Sequence, residues 1–579
     1  MILQALTQYY EDLLARGEIA APGWAPAKIS YALCLDEDGQ LTQVVPTMEE
    51  VPKGKKTVSQ PLVFPLPAAE KRTVGIVSNF LWDNSSYLLG VDQKGKPARS
   101  RECFSTAAAR HHAVLDGVDS PAARAILRFF DSWQPENAAQ CPALEGKLEE
   151  VTSGGNLLFR VDGRYAQEDA AIREAWQRRQ SDRDKDAVEM QCLVTGREDE
   201  IAKVHPAIKG VRDAQSSGAA LVSFNAPAFC SYGHEQNFNA PVGKYAAFAY
   251  TAALNHLLAD KDQVQQIGDT TVVCWAEGAD PVCQSLAVAA IFGGEAPGGL
   301  TDNALRATLW HLAHGEPCDE LAVDPNRTFY ILGLAPNAAR LSVRFFLRDS
   351  FGALMRNVND HYERLEIVGG RYEMLPLWAL LRETVNLNSR DKMPSPAMAG
   401  ATARAVFSGG RYPASLLEGV MLRIRAERNI TWGRAAILKA YYLKNPHEDC
   451  PKEVLTVSLN EESTNPAYTL GRLFRVMEEI QLASTGWNVN RSIKDSYFNS
   501  AASTPLSVFG KLFALSNYHL KKLMRDKPGL GKKLGDLESE LAAKLTSPPP
   551  ARSTQEEVVC FYLGYYHQCN HKKEEEKNV

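Results

Sequence analysis

The sequence predicts an α+β protein: a large mixed α/β region over residues 1–350, a helical and basic connecting region over 351–450, and a C-terminal helical bundle over 451–579. Three observations predict it. At 579 residues the chain exceeds what one hydrophobic core usually serves. Up to about Ser350, β-prone runs alternate with helical ones. Beyond it, apolar residues recur at three- and four-residue intervals as far as Tyr566, interrupted at the proline-containing stretches 393–396, 445–451 and 547–550.

Taken in order, Ile2, Leu3, Leu6, Tyr9, Tyr10, Leu13 and Leu14 mark an amphipathic helix that stops near Gly17. Ile29 to Leu35 and Leu41 to Val45 flank Asp36-Glu37-Asp38-Gly39 as a hairpin. Val51 to Arg110 carries ten Lys or Arg against four Asp or Glu, and its start, Pro52-Lys53-Gly54-Lys55-Lys56, is expected to be a basic loop. Ala122 to Trp133 is expected to be helical, Asn156 to Val161 a short strand, and Arg164 to Arg183 a long polar helix. Ala219 to Phe224 and Thr270 to Trp275 are expected as buried strands around a helix from Tyr245 to Ala259. Thr328 to Leu334 and Arg340 to Leu347, joined by Ala335-Pro336-Asn337, extend the same sheet.

Composition narrows the function. A hydrophobic share of 45% with 23% charged residues is that of a folded soluble protein. The net charge of −5 excludes a uniformly basic nucleic-acid coat while leaving room for local basic grooves. The start lacks the basic residues and cleavage site of a secretory signal, no apolar run spans a membrane, and the eleven cysteines fall at no paired spacing, so a cytoplasmic location is expected.

Catalytic motifs are missing from the sequence. Every Gly-Lys is followed by Lys, Pro, Leu or Tyr, never the Ser or Thr that holds magnesium in a P-loop; Gly-x-Ser-x-Gly and His-Glu-x-x-His are absent. His311, His314 and Cys318 share a face only if a helix continues past Gly315 and Pro317, so a helix end is expected there. Cys560, His567, Cys569 and His571 fit no common zinc spacing. No metal and no cofactor are therefore expected. The competing enzyme reading is a metal-dependent nuclease built on Glu145-Gly146-Lys147 with Asp131, for which a surface loop is the simpler account.

Positive residues gather in two places. Arg404 to Lys444 holds eight Lys or Arg against Glu418 and Glu427, with Tyr412, Trp432, Tyr441 and Tyr442 among Arg423, Arg425, Arg428 and Arg434. Guanidinium groups grip phosphates while rings stack on bases, a combination suited to single strands; the alternative is a solvated helix face over core aromatics. Lys521, Lys522 and Arg525 form a positive ridge on a second helix. Between Ser223 and Pro241 the sequence is rich in amides and small residues, more so than a simple turn requires.

Several stretches carry a resemblance. They are Met1 to Leu6, Lys71-Arg72-Thr73 through Asn79-Phe80-Leu81-Trp82-Asp83-Asn84, Cys192-Leu193-Val194-Thr195-Gly196, His205-Pro206 with Ile208-Lys209-Gly210-Val211, Leu221 to Phe229, Gly268 to Val273, Leu334 to Phe345, and Gly409-Gly410-Arg411-Tyr412-Pro413. Along almost its whole length the chain resembles the large subunit of the type I-C CRISPR surveillance complex, Cascade. The resemblance implies a non-catalytic subunit that recognises the flanking motif in double-stranded target DNA, supports unwinding and R-loop formation, and stabilises the displaced strand. Sequence choice is left to the guide RNA. It implies as partners the guide RNA (crRNA) complex, the target DNA, the backbone, crRNA 5′ handle-binding and small subunits, and a helicase-nuclease that docks on it; no membrane is involved. The C-terminal region resembles the Cascade small subunit, and an internally translated fragment beginning between Val454 and Met477 is expected. On charge and on this resemblance, Lys53, Lys55, Lys56, Lys71, Arg72 and Asn79 are expected near the flanking duplex, with Asn225, Tyr232, Gln236 and Asn239 as further candidates. Arg404, Arg411, Arg423, Arg425, Arg428, Lys521, Lys522 and Arg525 are expected on strand backbones. A purely structural scaffold is the remaining alternative.

Overall fold

The computed structural model describes residues 1–53, 56–70, 75–93, 95–181, 187–293, 296–314, 316, 323–370, 374–486 and 490–575. It is an α+β fold with a helical C-terminal region. Its contacts divide the chain into two compact units, one of Leu3–His205 with Phe224–Ala252, the other of Pro206–Ser223 with Ala253–Val579. The stretch 253–350, grouped by sequence with the mixed region, thus clusters with the helices that follow it.

In the first unit, the helix Ile2–Ala15 buries Leu6, Tyr9, Tyr10 and Leu13 and ends before Gly17, whose φ of 72° suits a glycine after a helix. Tyr31–Leu35 and Leu41–Pro46 form the expected hairpin. Its turn is closed by Asp36 Oδ1 accepting from Gln40 N at 2.8 Å. Gly39 is required there, because a Cβ would run into the backbone of the helix Pro121–Ser132. Asn156–Val161 lies parallel to Tyr31–Leu35 and brings Leu157 and Phe159 into a core with Leu33, Ile126, Phe129, Phe130 and Trp176.

The expected basic loop is instead part of a three-stranded sheet of Trp24–Ile29, Lys56–Pro67 and Met48–Lys53, antiparallel throughout. Valine, threonine and proline in these strands outweigh Lys53 and Lys56, which pair with each other; Gly54 and Lys55 between them lie outside the described residues. The polar helix is shorter than expected, running over Ala170–Ser181, because Arg164–Tyr165 pairs with Arg160 and Val161 as a strand. Residues 182–186 lie outside the described ones.

The second unit is built on the antiparallel order Gln265–Ile267, Thr270–Ala276, Thr328–Asn337, Arg340–Ser350. Thr270–Ala276 is buried along its whole length, as its apolar run requires. Ala335, Pro336 and Asn337 belong to the strand, and the turn falls on Ala338 at φ 52°. Ala219 to Phe224 does not form the expected strand. It makes only single bridges, Ala219 to Ile208 and Ala220 to Arg340, since its glycine- and serine-rich flanks supply no ladder.

One core runs from this sheet through the helices to Tyr566. The helix Pro466–Ser484 and the last helix, Gln555–Glu575, approach closely through two glycines. A Cβ on Gly471 would meet the Phe561 carbonyl, and one on Gly564 the Tyr468 carbonyl. Arg472, 1% exposed, is buried beside them with its Nε donating to Gln568 Oε1 at 3.0 Å. Among the described residues no helix is long and apolar enough to cross a membrane.

Candidate nucleic-acid interface

Two surfaces have the chemistry of a polyanion or base-edge site, one in each unit. In the second unit, the helix Pro396–Ser408 presents Gly400, Ala401, Arg404, Ala405 and Ser408 along one face of a cleft of about 660 Å³. The small residues leave the cleft open. Gly409, at φ 62°, ends the helix in the left-handed region and turns the chain so that Arg411 lines the same cleft. Tyr412 anchors that turn: its hydroxyl lies 2.6 Å from His361 Nδ1, and its backbone exchanges two hydrogen bonds with the Asn445 amide, at 3.2 and 3.0 Å. Arg344 joins from the strand Arg340–Ser350, bonded to Asp269 at 2.6 Å. Arg404 and Arg411 are exposed, and among the described residues neither meets a carboxylate. Two exposed guanidiniums without carboxylate partners among the described residues make a site for phosphate oxygens.

Arg423, Arg425 and Arg428 stand apart from this cleft in their bonding. The Arg423 side chain is largely buried beside Glu427 at 3.7 Å. Arg428 Nη1 donates to the Asp495 carbonyl at 2.5 Å, and the Arg425 carbonyl accepts from Asn499 Nδ2 at 3.0 Å. The Arg428 side chain and the Arg425 carbonyl fasten the end of the helix Ala414–Glu427 to the helix Ile493–Ser503. The stacking rings expected near them are also structural: Tyr412 and Tyr442 are buried at 4% and 3%, and Arg434 is buried between Glu383 and Glu427. Aromatics at helical spacing served the core here.

On the helix Pro505–Asp526, Lys521 and Lys522 are exposed, while Arg525 is paired with Asp526 at 2.9 Å. The sequence reading passed over Tyr518, 69% exposed, three and four residues before the two lysines and so on the same face. That spacing was the signal available. It passed over Arg344 too, which only the folded sheet brings to Arg404.

In the first unit, the segment 224–240 forms a compact loop with short 3₁₀ turns at Pro227–Phe229 and Gln236–Asn239. Asn239 holds it together: Oδ1 accepts from Ser231 N at 2.8 Å, and Nδ2 donates to the carbonyls of His234 and Gln236 at 3.0 and 2.9 Å. Those bonds keep Tyr232 and Gln236 at φ 54° and 48°, conformations that cost about 1–3 kcal/mol each in a residue with a Cβ. The result presents Tyr232 at 99% exposure, with Asn225 and Gln236 also exposed. Asn239 therefore positions the loop rather than facing outward.

Asn79 is 4% exposed, and its Oδ1 accepts from Glu70 N at 3.0 Å. Asp83 Oδ2 accepts from Asn79 N at 2.9 Å, and Trp82 Nε1 donates to Pro67 O at 2.7 Å. The Asn79 to Asn84 motif is thus a buried clasp, a place for shape and not for touching a duplex. Lys55, Lys71 and Arg72 lie outside the described residues, as do the side chains of Lys53 and Lys56.

Two residues of the nuclease reading have other partners. Asp131 lies 2.9 Å from His112 Nε2, and Lys147 Nζ donates to Val44 O at 2.8 Å. His314 caps the helix Asp302–Ala313, with Cys318 outside the described residues. Cys560 and His567 are buried in the last helix.

The chain is a CRISPR-associated protein. The family model described as CRISPR-associated protein (Cas_Csd1) matches residues 6–572, and the chain belongs to that family. No curated protein matches it.

Proposed function

We propose that this CRISPR-associated protein is the large subunit of a type I-C Cascade. In this reading it recognises the flanking motif in duplex DNA, supports R-loop formation, holds the displaced strand, docks the helicase-nuclease, and carries out no bond cleavage of its own. One observation carries it: the cleft where Arg404 and Arg411 stand without carboxylate partners among the described residues, in a chain of net charge −5. An acidic protein that keeps guanidiniums unneutralised in a groove gains nothing for its own stability from them, and a polyanion supplies what they lack. The loop around Tyr232 is the candidate for the flanking duplex, because an exposed ring and exposed amides on a bonded loop suit base edges.

Photo-crosslinking of the assembled complex on target duplex tests both assignments. Crosslinks from positions 404 and 411 to the displaced strand, and from 232 to the flanking duplex, are the expected result. Crosslinks to protein subunits alone would favour the scaffold reading.

A further inference from the structure

A cluster that the nucleic-acid reading does not use lies where the connection before the C-terminal bundle meets the last helix. His447 and Asp449 sit on the turn His447-Glu448-Asp449-Cys450, and Glu556 on the first turn of Gln555–Glu575. One donor atom from each of the three lies within 4.8 Å of the others. We propose that His447, Asp449 and Glu556 hold a divalent transition-metal ion of the zinc class.

Two features separate this cluster from a chance meeting of surface acids. The first is how firmly the backbone is placed. Cys450 N donates to His447 O at 3.1 Å, closing the turn, and Cys560 Sγ donates to Asp449 O at 3.5 Å. Cys560 is fully buried and one helical turn beyond Glu556, so the turn is tied to the same helix face that offers the carboxylate. The second is the support behind the ligand. The Tyr442 hydroxyl, on a side chain 3% exposed, donates to Glu556 Oε1 at 3.1 Å and orients the carboxylate. Carboxylates and imidazoles that bind metals are held in this way by a hydrogen-bonded second layer.

The donor set indicates the metal. Zinc sits about 2.0–2.2 Å from nitrogen and oxygen donors, which places tetrahedral ligands roughly 3.5 Å apart. The His447 and Asp449 side chains are exposed and Glu556 is partly buried, and the three need to draw together by only about an ångström. An imidazole among the donors disfavours magnesium and calcium, which prefer oxygen throughout. Among the described residues no Lys or Arg pairs with Asp449 or Glu556, so two carboxylate charges await a cation. Water would fill the remaining positions. The bound ion would clip the 445–451 connection to the start of the last helix.

The test is titration of chelator-stripped full-length protein with Zn²⁺ alone, by calorimetry and by thermal melting, alongside H447A, E556Q, Y442F and the neighbouring exposed acid as E448Q. One ion bound at micromolar affinity with a raised melting temperature is expected. H447A and E556Q should weaken binding by at least about tenfold, Y442F by less, and E448Q not at all. All variants should melt like the parent without metal. Absence of stoichiometric binding, or equal binding by H447A and E556Q, overturns the proposal. So does binding that survives H447A but is lost in C450S or C560S, since the thiols would then be the ligands.

Discussion

Replacing Arg404 and Arg411 together by alanine is the sharpest test of the cleft. Both side chains are exposed, and neither meets a carboxylate among the described residues, so their removal strands no buried charge and stability should change by no more than about 0.5 kcal/mol. Binding should change far more. On single-stranded DNA each phosphate contact contributes about 0.7 to the slope of log affinity against log salt, so losing two flattens the slope by about 1.4. Extrapolated from molar salt, each contact amounts to about fivefold at roughly 0.1 M, and the double variant should bind about 25-fold more weakly there while converging with the parent near 1 M. Fluorescence anisotropy with single-stranded DNA of arbitrary sequence, repeated across salt concentrations, reads both quantities. R428A is the contrast: its guanidinium donates to the Asp495 carbonyl, so it should lower stability and leave the slope nearly intact. Superimposable salt slopes for the parent and the double variant would refute the reasoning, whatever the affinity at one condition.

Further outcomes follow from the core and the termini of its elements. Gly564→Ala forces a methyl into the Tyr468 carbonyl and should cost about 1–3 kcal/mol in chemical denaturation, whereas Gly510→Ala, with open space around it, should be neutral or slightly stabilising. Four buried histidines are held neutral by burial, His111 and His205 lowered to about 4 and His361 and His567 to about 3. Each is protonated on unfolding from the ordinary 6.5 downward, so their stability is complete above that value and is lost as pH falls towards 4 and 3. At pH 5.5 the four together should lower stability by about 5 kcal/mol relative to pH 7.5, and urea midpoints that do not move would contradict this. An internally translated C-terminal fragment, if made, should begin at Val454 to Val457 and not at Met477, because a Met477 start deletes the buried Tyr468, Gly471 and Arg472 from the helix Pro466–Ser484. Intact-mass measurement of complex from the native operon distinguishes the two starts.

The elements legible in the sequence were those whose local pattern and tertiary environment agree. The opening helix, the Asp36–Gly39 hairpin and the strand Thr270–Ala276 each carry a clear period and a turn residue where one is needed. Ala219 to Phe224 misled because a short apolar run says nothing of whether a neighbour offers a ladder. Only single bridges formed. The basic stretch after Val51 misled in the other direction: lysines dominate its composition, while the valines and threonines beside Lys53 and Lys56 determine the strands.

For the binding surface, the sequence supplies where cations are but not which of them are already neutralised. Arg404, Arg411, Arg423, Arg428 and Arg434 look alike in a linear reading, yet Arg434 is buried between two carboxylates, Arg423 is largely buried beside Glu427, and Arg428 grips a helix-terminal carbonyl. A guanidinium can hold phosphate only if no internal acceptor has claimed it, and internal acceptors come from residues tens of positions away in the chain. The same logic explains Asn79 and Asn239, whose amides satisfy backbone groups inside the fold, while Asn225, Gln236 and Tyr232 face outward. Donor groups left over after folding has met its own hydrogen-bonding needs are therefore the ones to mutate first, and by that criterion Arg404, Arg411 and Tyr232 precede every other residue of the two surfaces.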